Sequence, residues 1–149
     1  MDYDLDRFLI AQATHYGQAL KEIRAGQKKS HWIWYIFPQL QGLGFSHNAS
    51  YYGIKDLQEA VAYLRHPILG PRLVEISKAL LLHKDKSPIQ LMGSPDDMKL
   101  CSCMTLFSLV PDADPVFSEV LDVFFEGRRD AKTDAKTDGG GFAGGSGDI

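Results

Sequence analysis

Apolar residues recur along most of this chain at the three-to-four-residue step of a helix, and the two-residue alternation of a half-buried strand is nowhere clear. Leu5, Phe8, Leu9 and Gln12 share one helical face behind Asp4, a candidate cap, and predict a helix over 5–13. Tyr16, Ala19, Leu20 and Ile23 fall at i, i+3, i+4 and i+7, so they continue that helix or begin a second over 16–25, with Gly26 as the stop. Leu57, Ala60, Val61 and Leu64 form the next stripe, opened by Asp56 and Glu59 in capping-box order and ended at His66-Pro67. Pro71 then stands at the first position of a helix to about His83 that buries Leu73, Ile76, Ala79 and Leu80. Ser87-Pro88 opens a short turn closed by Gly93. Ser94-Pro95 opens a helix through about Phe107, with Asp96 and Asp97 at the positive end of its dipole. Asp114-Pro115 opens the last helix, with Val116, Phe117, Val120, Leu121 and Phe124 inward and Gly127 closing it. The prediction is an all-α, single compact domain of about six to seven helices over residues 1–127.

Two stretches depart from this pattern. From 128 to 149 the chain turns polar and glycine-rich, with AKTD repeated in tandem at 131–134 and 135–138. Such a tail has too little apolar surface to offset its ordering entropy, and it is expected to be disordered or loosely packed. The other stretch, Lys28 to Gly44, organises the domain. Trp32 to Phe37 is an unbroken apolar and aromatic run, too large to be left in water, so it passes through or against the core. Its period fits a helix or a strand. Ser30 as a cap, with a helix starting at His31, suits the helical neighbourhood, and Pro38 biases Phe37 away from helical angles and ends the run. Gly42-Leu43-Gly44 reads as a tight turn. It lacks the third glycine and the strand-to-helix context of a nucleotide-binding loop.

Composition narrows the class. With 149 residues, 44% hydrophobic and 23% charged, the chain is an ordinary globular domain with room for a proper core. A net charge of -3 gives no electrostatic case for nucleic acid as partner. No apolar run is long enough for a membrane span, and no signal-peptide core follows the acidic MDYDLDRF start, so the expected location is the cytoplasm. Cys101 and Cys103 would diverge on a helix, which suits a reducing compartment. The histidines have no metal-ligand spacing and no paired C-x-x-C exists, so neither a metal nor another cofactor is expected.

Several motifs together resemble a known family. They are Ala19-Leu20-x-Glu22-Ile23-x-x-Gly26-x-Lys28, Ser30-His31-Trp32-x-Trp34-x-Ile36-Phe37-Pro38-Gln39, Gly42-Leu43-Gly44-x-Ser46, Tyr52-Gly53-Ile54, Glu59-Ala60-x-Ala62-Tyr63-Leu64, His66-Pro67-x-Leu69-Gly70-x-Arg72-Leu73 and Lys99-Leu100-x-Ser102-Cys103-Met104-Thr105-Leu106-Phe107. The pattern is similar to domain-of-unknown-function family 1810, mostly bacterial, some of whose members carry the label calpastatin. The resemblance covers about residues 5–130. It implies a single all-α domain and brings no activity, cofactor or substrate with it. The AKTD repeats stand where that family closes with a short structured end.

The candidate chemistry gathers in two places. His31, at the head of the aromatic run, has an imidazole suited to acid or base work near neutral pH; the plainer alternative is a buried anchor bonded to a backbone carbonyl. Trp32 and Trp34 offer a stacking surface for a base, a sugar or a cation, but on a helix they lie about 200° apart and cannot both line one pocket. Core packing claims at least one of them. Gln39 and Ser46 can supply polar contacts on a pocket wall or simply serve their loop. Lys99, Ser102 and Thr105 spread over one broad helix face, where the lysine could neutralise an anion and the hydroxyls orient it, or the hydroxyls could bond their own backbone. The resulting expectation is a pocket between the His31–Ser46 segment and the Lys99–Phe107 helix for a polar or anionic small molecule, such as a nucleotide or sugar derivative. Any chemistry there would be hydrolytic, with His31 as acid or base. The rival is a non-enzymatic protein-interaction domain with the aromatic run as core or docking groove.

Overall fold

The computed structural model describes residues 3–141, and among these its only β-type pairing is a single parallel bridge between Leu40 and Ile54. Nine α-helices follow one another: α1 (Asp6–Ala25), α2 (Ile33–Ile36), α3 (His47–Tyr51), α4 (Leu57–Arg65), α5 (Leu69–Leu80), α6 (Pro88–Met92), α7 (Asp96–Ser108), α8 (Val116–Phe125) and α9 (Ala131–Gly141). The expected count of six to seven is too low. The excess comes from single-turn helices held inside loops, such as α3 with Ser46 as cap and α6 with a Ser87–Gln90 capping box. The first two predicted segments are one helix, stopped by Gly26 at φ 91°.

The central run is helical for one turn only, and it starts later than expected. Ser30 does not cap it; its hydroxyl is bonded to Glu22, and Trp32 is the residue before the first helical one. Pro71 falls inside the first turn of α5, not at its start. The polar tail expected from residue 128 opens with α9, and the part of it from 142 to 149 lies outside the described residues. The helix is tied down at its start. The Asp130 N–H donates to Thr105 Oγ1 at 2.9 Å, the Asp130 carboxylate accepts from the Thr133 N–H at 3.0 Å, and Thr133 is buried.

The core is a relay of aromatic rings crossing the bundle. Phe8 of α1 meets Tyr63 of α4 edge-on at 5.1 Å, Tyr63 meets Phe107 of α7 at 5.3 Å, and Phe107 meets Phe117 of α8 at 5.9 Å. Around it α5 packs on α1, α4 and α8, and α2 lies between α1 and α7. Gln12, buried on α1, donates to the Tyr35 carbonyl at 2.8 Å and to the Tyr63 hydroxyl at 3.0 Å, which sets α2 and α4 against α1. The turn from α4 into α5 is tighter than any side chain permits: a Cβ on Gly70 would stand 2.0 Å from the Leu64 carbonyl oxygen. Gly70→Ala is therefore expected to force the two helices apart at a cost of about 3 kcal/mol, the upper end for overpacking, read as a lowered urea midpoint at unchanged slope. Among the described residues no helix is long and apolar enough to cross a membrane.

Candidate functional site

The loop between α1 and α2 is shaped by a buried carboxylate. Glu22, 4% exposed, accepts from the Lys29 N–H at 2.7 Å, the Ser30 N–H at 2.9 Å, the Ser30 hydroxyl at 2.6 Å, the Gln18 amide at 2.8 Å and the Trp32 indole N–H at 3.0 Å. Burial alone would raise its pKa, but the hydrogen bonds from Ser30, Gln18 and the Lys29 and Ser30 backbone outweigh it and bring it down from 4.5 to about 2. This clamp draws Trp32 fully inside. Two residues on, within α2, Trp34 lies on a different face, where it is only partly buried.

The two tryptophans are linked through two lysines and one aspartate. Lys28 Nζ lies 5.0 Å from the Trp32 ring centroid and 2.8 Å from Asp96. Lys99 Nζ lies 3.9 Å from the Trp34 centroid and 3.3 Å from the same Asp96. A lysine set against an aromatic face has a fixed direction as well as a charge. Beyond Lys99 and Trp34 opens a cleft of about 400 Å³. One wall is α7, with Pro95, Met98, Lys99 and Ser102; the other is the 39–53 segment, with Gln39, Leu40, Leu43, Gly44, Asn48 and Tyr52. Asp130, Ala131 and Lys132, at the start of α9, close one end. Burial, and then Tyr51, pushes the Tyr52 phenol up from its ordinary value, so it faces the cleft as a neutral hydroxyl.

Of the residues singled out in the sequence, Trp34, Gln39, Lys99 and Ser102 meet on this cleft. The others do not line it. His31 is exposed, because the inward pull of Glu22 on Ser30 and Trp32 turns the residue between them to solvent, and no histidine is among the cleft's lining residues. Trp32 is core. Ser46 caps α3, accepting from the Ala49 N–H at 3.1 Å, and so holds Asn48 and Ala49 on the wall. Thr105 is buried one turn behind Ser102 and acts indirectly, by fixing the Asp130 backbone. Ser102 donates to the Met98 carbonyl at 3.2 Å, an ordinary back-bond within the helix. Burial pushes both the Cys101 and Cys103 thiols up, so neither is a ready thiolate. Among the described residues no group of three His, Cys, Asp or Glu side chains is placed to hold a metal ion. Sequence reading missed Tyr52, Asn48, Asp130 and Lys132. The last two lie in the stretch read as a loose tail.

The family described as protein of unknown function, DUF1810, matches residues 2–137. The chain belongs to the DUF1810 family. The match includes Lys132 and the first part of α9, to residue 137. The fold is similar to the crystal structure of the conserved hypothetical protein Rv1873 from Mycobacterium tuberculosis, at a TM-score of 0.89 and 46% identity, covering 91% of this chain and 96% of that one. No curated protein matches.

Proposed function

We propose that this DUF1810 domain binds a polar, anionic small molecule with a flat ring, such as a nucleotide or a sugar derivative, in the cleft between α7 and the 39–53 segment. The observation that carries the reading is the Lys99 ammonium held 3.9 Å over the Trp34 ring on the cleft wall. The pair offers a cation for an anionic group beside an apolar surface built by Trp34, Leu40, Leu43 and Tyr52. Lys132, at the start of α9, adds a second positive charge at the closed end. The reading is one of binding: no nucleophile on the described walls has a base to activate it, and His31 would have to reach the cleft from the surface.

Thermal shift against nucleoside monophosphates and sugar phosphates, followed by calorimetry on the hits, tests it. Lys99→Ala is expected to weaken binding by about tenfold or more, the effect of losing one charge-assisted contact, and Trp34→Ala by a similar factor through lost stacking. Both variants should keep the parent's unfolding transition to within a few degrees. Binding that survives both substitutions would refute the site. A second reading, docking of an apolar peptide, draws on two exposed apolar side chains, Met98 on the cleft wall and Phe45 next in sequence to Gly44 of the other wall. It predicts that Phe45→Ala and Met98→Ala abolish peptide binding while no small molecule in the series shifts the melting curve.

A further inference from the structure

The tandem AKTD repeat has a spatial consequence once it is a helix. Lys132 and Lys136 stand four residues apart on α9, on one face and roughly 6 Å apart along the axis. Lys132 closes the cleft described above, and Lys136 lines a second one of about 570 Å³, with Lys55, Asp56 and Gln58. Leu40 belongs to the walls of both, so the two hollows are neighbours across one side chain. The Lys136 ammonium lies over the glycine turn between them: a Cβ on Gly42 would stand 2.9 Å from its Nζ.

The charge balance along this line is unlike that of the whole chain, which is net -3. Four lysines (99, 132, 136 and 55) border the two hollows, against two lining carboxylates, Asp130 and Asp56, and Asp96 behind Lys99, which Lys28 also pairs at 2.8 Å. Both lining carboxylates are occupied as helix caps: Asp130 accepts from the Thr133 N–H at 3.0 Å, and Asp56 from the Glu59 N–H at 2.8 Å. Their charge is spent largely on helix N-termini, and a ligand meets the lysines.

Resting on the pocket reading above, we infer that the two hollows form one extended site and that it takes a nucleoside diphosphate carrying a further hydroxylated group, such as a nucleoside diphosphate sugar, in preference to a mononucleotide. The base lies against Trp34 and Tyr52, the diphosphate runs past Lys99 and Lys132, and the distal sugar sits by Lys136 and Gln58.

Isothermal titration of the full chain with the adenosine and uridine series of monophosphate, diphosphate and diphosphoglucose tests this. In one of the two series the diphosphate sugar should bind at least tenfold tighter than its monophosphate, Lys136→Ala should remove the part of that gain that separates the diphosphate sugar from the diphosphate while leaving monophosphate and diphosphate affinity unchanged, and Lys136→Arg should restore it. Lys136 is exposed, so its alanine variant is expected to melt with the parent. If monophosphate binds in a Lys99-dependent way but affinity is flat along both series, or if Lys136→Ala changes nothing, the extended site is wrong and the pocket stands. If no member of either series binds, this inference falls together with a nucleotide as the pocket's ligand.

Discussion

Glu22→Ala is expected to destabilise the domain by about 3–5 kcal/mol, because it strands several buried donors at once, the Trp32 indole N–H and two backbone N–H groups among them. Glu22→Gln should cost less, at about the 3 kcal/mol that protonating the carboxylate costs. Its oxygen can keep the three bonds now made to Oε1, and the Ser30 hydroxyl and the Gln18 amide can each rotate to accept where they now donate. The two variants also separate charge from shape. In the folded protein Glu22 titrates at about 2, against an ordinary value of 4.5. A depressed carboxylate contributes stability that is complete above its unfolded value and disappears as pH falls through its folded one. Stability should therefore drop between about pH 4.5 and pH 2, by roughly 3 kcal/mol from this group. Urea unfolding at a series of pH values would show that slope in the parent and its loss in Glu22→Gln. A parent and a glutamine variant with identical acid profiles would contradict the clamp. Trp34 follows two residues after Trp32, so a loosened clamp should also weaken ligand binding without any change in the cleft's own residues.

The clamp also shows what could be read in the sequence and what could not. Local signals were legible: Gly26 as a stop and Asp56 as the cap at the head of α4 do what their chemistry dictates within three or four residues, while Ser87-Pro88, read as a short turn, opens the one-turn helix α6. The facing of the His31–Ser46 segment and the Lys99 helix was accessible from their polar and aromatic residues, but the partner expected for Lys99 was His31, and the structure sets Trp34 there. Glu22 was not accessible, because a glutamate on a helix face looks like any solvated charge until the loop after Gly26 folds back and puts four donors on it. His31 lies outside the cleft for the same reason in reverse. Its chemistry is versatile, but its two neighbours turn inward and the backbone leaves it outside. The helix at the start of the tail was not legible because composition speaks to average burial. Two anchors, the Thr105 hydroxyl and the Asp130 cap, are enough to start α9, and no compositional measure sees them.

The second large effect is expected at Arg7. Its guanidinium is 7% exposed and donates to the Tyr51 carbonyl at 2.9 Å, the Gly53 carbonyl at 2.9 Å and the Asp4 carbonyl, while pairing with Glu59, itself 0% exposed, at 3.0 Å. Glu59 in turn accepts from the Lys55 N–H at 2.7 Å with its other oxygen. This one side chain therefore joins α1, the loop that walls the cleft and the start of α4. Arg7→Ala leaves an uncompensated carboxylate in the core as well as orphaned carbonyls, and should cost about 3–5 kcal/mol. Arg7→Lys should recover little, since a single ammonium cannot reproduce a planar fork that serves several acceptors at once. The informative comparison is Arg7→Met with Glu59→Gln. Glutamine keeps the oxygen that accepts from Lys55, and neither residue then carries a buried charge. The double variant should be more stable than the sum of the two single losses implies, by about 2 kcal/mol or more in a double-mutant cycle from urea unfolding. Additive losses would mean that the pair is not coupled, and that Arg7 acts only through the carbonyls of the 51–53 loop. The cycle also bears on binding, because Gly53 lines the cleft. If Arg7 sets the position of that wall, ligand affinity should fall in Arg7→Met even where the fold is intact, and Glu59→Gln alone should leave it nearly unchanged.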